Sequence, residues 1–249
     1  MDETKQNRYF LKDSVRKVTD FSATDQNRGI APPPVQKPFN ENQKRIKLGE
    51  AERFPEIGRT TFFDAVARRK SRREFKKTAL TMDELSFMLW ATQGVRDASD
   101  KTRIFRNVPS AGNRHSFETY LAVFNVESLP QGIYRYLPLS NELLLEFEDD
   151  ELKFKLARGV FGQRFAAKAA VTFIWTAIPY RTEWRYGAAS HKVIALDAGH
   201  VCQNLYLACE CIGAGTCAIA AYDQEEMDKL LHVDGEDEFT IYIAPVGKV

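Results

Sequence analysis

Lys192–Ile212 reads KVIALDAGHVCQNLYLACECI. Val193, Ile194, Leu196, Ala198, Val201, Leu205, Leu207, Ala208 and Ile212 put apolar side chains at nearly every angle of its helical projection. A helix apolar on all sides belongs inside a core or between subunits. At about 1.5 Å per residue it runs roughly 30 Å, the width of a small domain. Ser190 is the expected N-cap, and Gly213 and Gly215 are expected to give the left-handed stop. A bilayer span is the competing reading, but Asp197, His200, Gln203 and Asn204 lie mid-segment and would be costly in hydrocarbon. The segment is therefore read as the central helix of a soluble domain.

Working outward from it, the apolar run AAVTFIWTAI (Ala169–Ile178) reads as a fully buried strand. FTIYIAPV (Phe239–Val246) reads as another, after a segment Cys217–Tyr222 and a short helix from about Gln224 to Leu231. Upstream, Gly132–Leu137 and Leu143–Phe147 flank the turn Pro138–Asn141 as a hairpin, and Glu118–Val126 is a strand entered from the loop NVPSAGNRHS (Asn107–Ser116). Thr81 with Glu84 forms a capping box before the stripe Leu85, Met88 and Leu89, and Gln93-Gly94 ends that helix. Thr60–Arg69 gives a shorter helix capped by Thr60 or Thr61, followed by RKSRREF (Arg69–Phe75). The expected fold is α+β: helices on a mixed or mostly antiparallel central sheet of about five strands. Residues 1–58 carry Pro32, Pro33, Pro34, Pro38 and Pro55 with few periodic apolar positions, and read as an extended arm on the body or on a partner subunit. Residues 59–249 form the domain proper.

The chain holds 35 basic and 34 acidic residues, net +1, so no general nucleic-acid or membrane field is expected. The one dense basic run, Arg68–Lys77, suits a small anion. Cys202, Cys209, Cys211 and Cys217 have no second pair or His cluster to complete a zinc pattern, and read as buried reduced thiols. The polar start MDETKQNRYF offers neither signal peptide nor anchor, which points to a cytoplasmic protein. Gly213-Ala214-Gly215 is not a dinucleotide turn, because it closes a helix where a Rossmann turn opens one. Asp197, His200 and Asn204 form a polar seam on the central helix. No third strong ligand lies at fitting spacing, so no metal is expected and the seam reads as a hydrogen-bond network.

Three stretches remain: guanidinium groups around Ser71, small residues with Arg114 in the 107–116 loop, and Arg181, Trp184, Arg185 and Tyr186 before the central helix. A cofactor with a phosphate, a polar tail and a flat ring would suit all three. RKSRREF resembles the Arg-x-Ser-x-Arg-x-Phe opening of nitroreductase-like flavoproteins. PSAGNRHSFETYLAV, GIYRYLPL, RYG, LDAGHVCQNLYLACECIGAGTCAIAAYD and the final APVG together resemble the SagB-type dehydrogenase branch of that superfamily. The match spans about residues 60–249, and the motifs occur in the expected order.

The resemblance implies a homodimer that binds FMN at the subunit interface, with long central helices packed across the twofold. It implies that Arg69, Lys70, Ser71 and Arg73 hold the phosphate and ribityl chain, where a planar arginine fork can bind phosphate oxygens in pairs. It places Pro109, Ser110, Ala111, Gly112 and Arg114 in the loop supplied by the other subunit, Ala220 and Ala221 where a backbone amide faces flavin N5, and Lys248 near the phosphate. Two departures stand out. His191 occupies a position usually aromatic, and the sequence closes at Val249, where many classical nitroreductases continue into a wrap around the partner; the amino-terminal arm is expected to share that work.

The resemblance leaves the chemistry open. SagB-type enzymes oxidise azoline rings to azoles in modified peptides, whereas classical relatives reduce small nitro or quinone compounds with NAD(P)H. A third possibility is a flavin-binding subunit without turnover. Azoline oxidation needs a base, for which Tyr186, Arg185 and His191 are the candidates in the right neighbourhood. Tyr186 reads equally well as a packed aromatic with a satisfied hydroxyl. His115 reads as a loop-surface residue.

Overall fold

The structure is a computed structural model, which describes residues 3–100 and 103–249; Met1 and Asp2 of the expected arm lie outside them. In chain order it forms α1 (Glu3–Asn7), a series of 3-10 turns, β1 (Arg45–Lys47), α2 (Phe54–Ile57), α3 (Phe62–Arg68) and α4 (Met82–Gln93). A small hairpin follows, β2 (Val95–Asp97) with β3 (Phe105–Arg106), then β4 (Phe117–Val123), β5 (Gly132–Leu137), β6 (Glu142–Glu148), α5 (Leu152–Gly159), α6 (Phe165–Lys168) and β7 (Val171–Ala177). The chain closes with α7 (Tyr180–Tyr186), α8 (His191–Cys211), β8 (Ala214–Thr216), α9 (Gln224–Leu231) and β9 (Phe239–Lys248).

The main sheet is seven-stranded, in the order β1-β6-β5-β4-β7-β9-β8, and each neighbouring pair is antiparallel. Side chains on successive strand residues point to opposite faces. In β4, Leu121 and Val123 join the cluster under α4 and α8, while Tyr120 and Ala122 join the cluster under α5 and α9. Phe173 and Trp175 of β7 face the first cluster and Ile174 the second. Both faces of the central strands are thus covered, which is why they read as continuous apolar runs. The sheet exceeds the expected five strands because β1 and β8 are edge pieces of three residues each, too short to show a period.

The capping box on α4 is present: Thr81 Oγ1 accepts from Glu84 N, and Glu84 accepts from Thr81 N. The ends of α8 differ from expectation. Ser190 has helical dihedrals, makes no side-chain cap, and its buried hydroxyl has no hydrogen-bond partner among the described residues. Gly213 alone is left-handed, with φ +62. Gly215 lies within β8, where an added Cβ would stand 2.5 Å from Arg72 Cδ; close approach of that side chain, not chain reversal, requires glycine there. One face of α8 is buried in the core through Ile194, Val201 and Leu205, and the opposite face, with Leu196 54% exposed, is open.

The amino-terminal segment lies along the body. Trp184 Nε1 donates to the Ile30 carbonyl, Arg106 to that of Val35, and Arg135 to those of Lys37 and Pro38, while β1 pairs with β6. Among the described residues, no helix is long and apolar enough to cross a membrane.

Candidate functional site

The basic run after α3 is drawn out along the sheet edge. Thr61 caps α3 by accepting from Asp64 N, and the helix stops at Arg68. Ser71 then forms a parallel bridge with Thr216, Arg72 N donates to the Thr216 carbonyl at 2.9 Å, and Lys76 N donates to the Lys248 carbonyl at 2.8 Å. With its backbone pinned at these points, the run turns Lys70, Ser71, Arg72, Arg73 and Lys76 toward a cleft of about 630 Å³. Tyr206 of α8 forms the back: its hydroxyl lies 3.0 Å from Ser71 Oγ and accepts from Ala218 N at 2.9 Å.

The arginines here are arranged unequally. Arg72 faces Glu210 at 3.7 Å. Arg69 and Arg73 have no carboxylate within ion-pair distance among the described residues; their guanidinium carbons stand 5.4 Å from the Tyr206 ring centroid and 5.8 Å from that of Phe165. A guanidinium held over a ring keeps its N–H donors for another acceptor. Arg72 Nε and Thr216 Oγ1, both buried, also have no partner among the described residues. The open guanidinium of Arg73, the ammonium groups of Lys70 and Lys76 and the Ser71 hydroxyl line one cleft with a single carboxylate side chain, Glu74, a balance that fits an anionic ligand.

The second element is the 109–115 loop, at the other end of α8. Gly112, Asn113 and His115 all have positive φ, at +60, +57 and +48. For the two non-glycine residues this costs on the order of 1–3 kcal/mol each and persists only where the surroundings impose it. Ser110 Oγ accepts from His115 N at 2.9 Å, Arg114 Nε donates to the Arg181 carbonyl at 2.9 Å, and Asp197 accepts from Ala111 N at 2.8 Å. Burial pushes the Asp197 carboxyl above its usual range, which its bonds to the Ala111 amide and Ser110 hydroxyl offset only in part. Gly112 rests on α7: a Cβ there would meet the Tyr186 hydroxyl at 2.6 Å and Arg185 Cδ at 2.8 Å. Arg185 and Arg16 both lie over the Tyr186 ring, 5.4 and 5.8 Å from its centroid.

The residues singled out from the sequence therefore fall into groups. Lys70, Ser71 and Arg73 line the basic cleft and Arg69 stands over Tyr206 just before them, whereas exposed Pro109 and Gly112 and half-buried Ser110 and Ala111 share the loop beside Tyr186 and Arg185. Asp197 and Tyr206 are nine residues apart on α8, about 14 Å along its axis, so the two groups stand apart within the chain. Ala220 and Ala221 are exposed between β8 and α9, in a segment held by Ile219 on Ile243 and by Gln163 donating to the Ala221 carbonyl.

One expectation changes, that for His115, and two of the site residues carry partners inside the protein. Arg114 is 6% exposed, donates to the Arg181 carbonyl and sits 4.7 Å from the Trp184 ring, so it braces the loop from inside. Lys248 donates to the Ile212 carbonyl at 2.6 Å and pairs with Glu84, which commits its ammonium to the end of α8. His115 is 3% exposed and not on the loop surface; burial, with Arg106 and Arg181 nearby, holds its imidazole far below the usual range and neutral. The cysteines are free thiols, and burial pushes Cys202 up to about 12, which removes it as a nucleophile. Sequence reasoning missed Tyr206 and Thr216, whose relation to Ser71 depends on pairing across more than a hundred residues.

The sequence model of the nitroreductase family matches residues 66–248. A protein of Methanocaldococcus jannaschii assigned as a nitroreductase is 32% identical over 195 residues, covering 78% of this chain and 94% of that one. A crystal structure from Ralstonia eutropha, also assigned as a nitroreductase, superposes with TM-score 0.69 at 25% identity, covering 88% of this chain and 98% of that one. A third such protein, from Anabaena variabilis, gives TM-score 0.68 at 24% identity over 84% of this chain, which spans only 42% of that longer one.

Proposed function

The chain belongs to the nitroreductase family, and from that premise we propose that it is an FMN-dependent oxidoreductase of the SagB-type dehydrogenase branch, working as a homodimer on an azoline-bearing peptide or a related small molecule. The observation that carries this reading is the basic cleft, where Arg69 and Arg73 stand over aromatic rings with their donors free beside Lys70 and Ser71. These residues would hold the phosphate and ribityl chain. When bound, FMN supplies two-electron chemistry, with hydride moving to or from its N5.

The homodimer rests on surface left open by the protomer. Phe62 and Phe63 of α3 are 75% and 79% exposed, Val66 is 49% exposed, α3 packs on α8, and Leu196 of α8 is 54% exposed. Grouped apolar side chains of this size mark an association surface. Pairing α8 with its copy in opposite directions would bring the 109–112 loop of one subunit toward the basic cleft of the other. Leu205 takes no part, being fully buried in its own protomer.

Arg185 and Tyr186 would face the substrate. The Tyr186 hydroxyl, pressed toward Gly112, is the group placed to take a proton from the ring being oxidised, with Arg185 and Arg16 supplying positive charge at its ring. His191 Nε2 is instead engaged with Glu183 at 2.8 Å.

The test is spectroscopic. Purified protein should be yellow, and anaerobic addition of an azoline-containing peptide should bleach the flavin band. Bleaching by NADPH or NADH alone would replace the dehydrogenase reading with that of a reductase for nitro or quinone compounds. Bound flavin that nothing reduces would indicate a subunit without turnover. Colourless protein whose spectrum does not change with added FMN would sink all three.

A further inference from the structure

We infer that Asp197 positions the 109–112 loop, fixing from α8 the surface that would lie along the flavin; the flavin part of this inference rests on the FMN reading above. The loop is fastened unevenly. Its downstream half is buried and held from α7, where Arg114 Nε donates to the Arg181 carbonyl and Arg181 donates to the His115 carbonyl at 3.3 Å. Its upstream half is exposed or half-buried. Among the described residues, Asp197 supplies the only hydrogen bonds that reach residues 109–112 from outside the loop: one from the Ala111 amide at 2.8 Å and one from the Ser110 hydroxyl.

The conformation held in this way is one the chain would otherwise leave. Three left-handed residues within four positions, two of them not glycine, relax unless restrained on both sides. The downstream fastenings restrain one side only. Removing the Asp197 carboxylate frees Ala111 N and Ser110 Oγ together, and the turn at Gly112 loses its hold against Tyr186. Asp197 also sits on the rigid helix that carries Tyr206, the neighbour of Ser71 in the basic cleft. Each loop and each cleft is thus referenced to the same rigid helix, so in the proposed dimer the loop of one subunit would meet the cleft of the other in a fixed register.

Asp197 does not touch the reacting atoms in this proposal, so its test separates positioning from simple folding. Asp197→Ala and Asp197→Asn are compared with the parent full-length dimer by FMN titration, thermal melting and amide exchange of the 107–116 peptide in FMN-free protein. Asp197→Ala should weaken FMN at least tenfold and speed loop exchange at least tenfold. Asp197→Asn keeps an oxygen that accepts from Ala111 N and should return both values to within about threefold of the parent. If Asp197→Ala fails to fold, Asp197→Ser, whose shorter side chain cannot reach the Ala111 amide, should still speed loop exchange severalfold. Unchanged loop exchange in Asp197→Ala overturns the inference, and so does an asparagine variant as impaired as the alanine one. Should the parent protein bind no FMN, the FMN reading fails by itself, and the exchange comparison still decides whether Asp197 holds the loop.

Discussion

The chain uses arginine in two opposite ways, and the contrast between the sheet centre and the sheet edge separates donors spent on the fold from donors left open. At the centre, Arg181 and Arg135 are each 2% exposed and converge on Glu118, itself 2% exposed, with Arg135 also on Glu146. Arg106, likewise buried, donates to Gln93 and to the Val35 carbonyl. These donors are consumed in joining the amino-terminal segment, α7 and the sheet. At the edge, Arg69 and Arg73 rest on aromatic rings with no carboxylate beside them. The same side chain is structural where its fork is filled and available where its fork is empty.

The largest effect should come from breaking the central set. Burial opposes the charge on Glu118, but Arg181 and Arg135 outweigh it and hold the carboxyl below its usual range. Removing one partner of a buried pair leaves the other charge uncompensated, so Glu118→Ala should cost about 3–5 kcal/mol in urea denaturation. A loss below about 1 kcal/mol would show that the two sets are not different in kind. The pH dependence follows from the depressed pKa. An unfolded glutamate titrates near pH 4.3, so the stability Glu118 contributes is complete above that value and is lost as pH falls through the lower folded pKa. Glu118→Gln should flatten the acid limb of the stability profile there. An unaltered acid limb would remove Glu118 from the account.

The edge set should behave in the reverse way, affecting ligand and not fold. Arg69→Ala and Arg73→Ala each remove charge-assisted bonds worth about 1.5–3 kcal/mol, so each should weaken FMN binding tenfold or more while the melting temperature stays nearly constant. Normal flavin content in the double variant would refute the phosphate assignment.

The same contrast explains what the sequence made legible. The apolar runs of β7 and β9 and the capping box of α4 follow from local chemistry, so they could be read directly. The edge strands β1 and β8 exist only because a distant strand offers them hydrogen bonds. RKSRREF showed a cationic cluster but not its role, which depends on Tyr206 and Thr216 standing opposite Ser71. Arg114 and Lys248 were placed with the cofactor because they carry the right charge near the right motifs. Their partners, the Arg181 carbonyl and Glu84 with the Ile212 carbonyl, lie 67, 164 and 36 residues away, where no spacing rule reaches. Apolarity around α8 was legible as well, but which of its faces is buried was not; Leu205 is fully buried and Leu196 is 54% exposed, which shifts the proposed association surface to Leu196.

That shift gives a smaller and cleaner test of the edge. Leu196→Glu adds a charge to the open face of α8 and should weaken self-association about tenfold or more in analytical ultracentrifugation, with the protomer still folded. Leu205→Glu should instead unfold the chain, because its position has no exposure. If Leu196→Glu sediments like the parent protein, the open face of α8 is not the seam.

Lys248 offers the finest discrimination, because it lies near the edge cleft yet belongs by its bonding to the structural set. Its ammonium bonds the Ile212 carbonyl, just past α8, and Glu84 in the first turn of α4. A cation near a helix C-terminus is worth about 0.3–1 kcal/mol, and pairing with the half-buried Glu84 adds a similar amount. Lys248→Ala should therefore lower stability by about 1 kcal/mol and leave FMN affinity within twofold of the parent. Lys248→Met, which keeps the aliphatic stem, should recover little, since the lost bonds are polar. A tenfold fall in FMN affinity without a change in melting would instead return Lys248 to the phosphate. It would also show that a filled fork or ammonium in this fold can still serve a ligand.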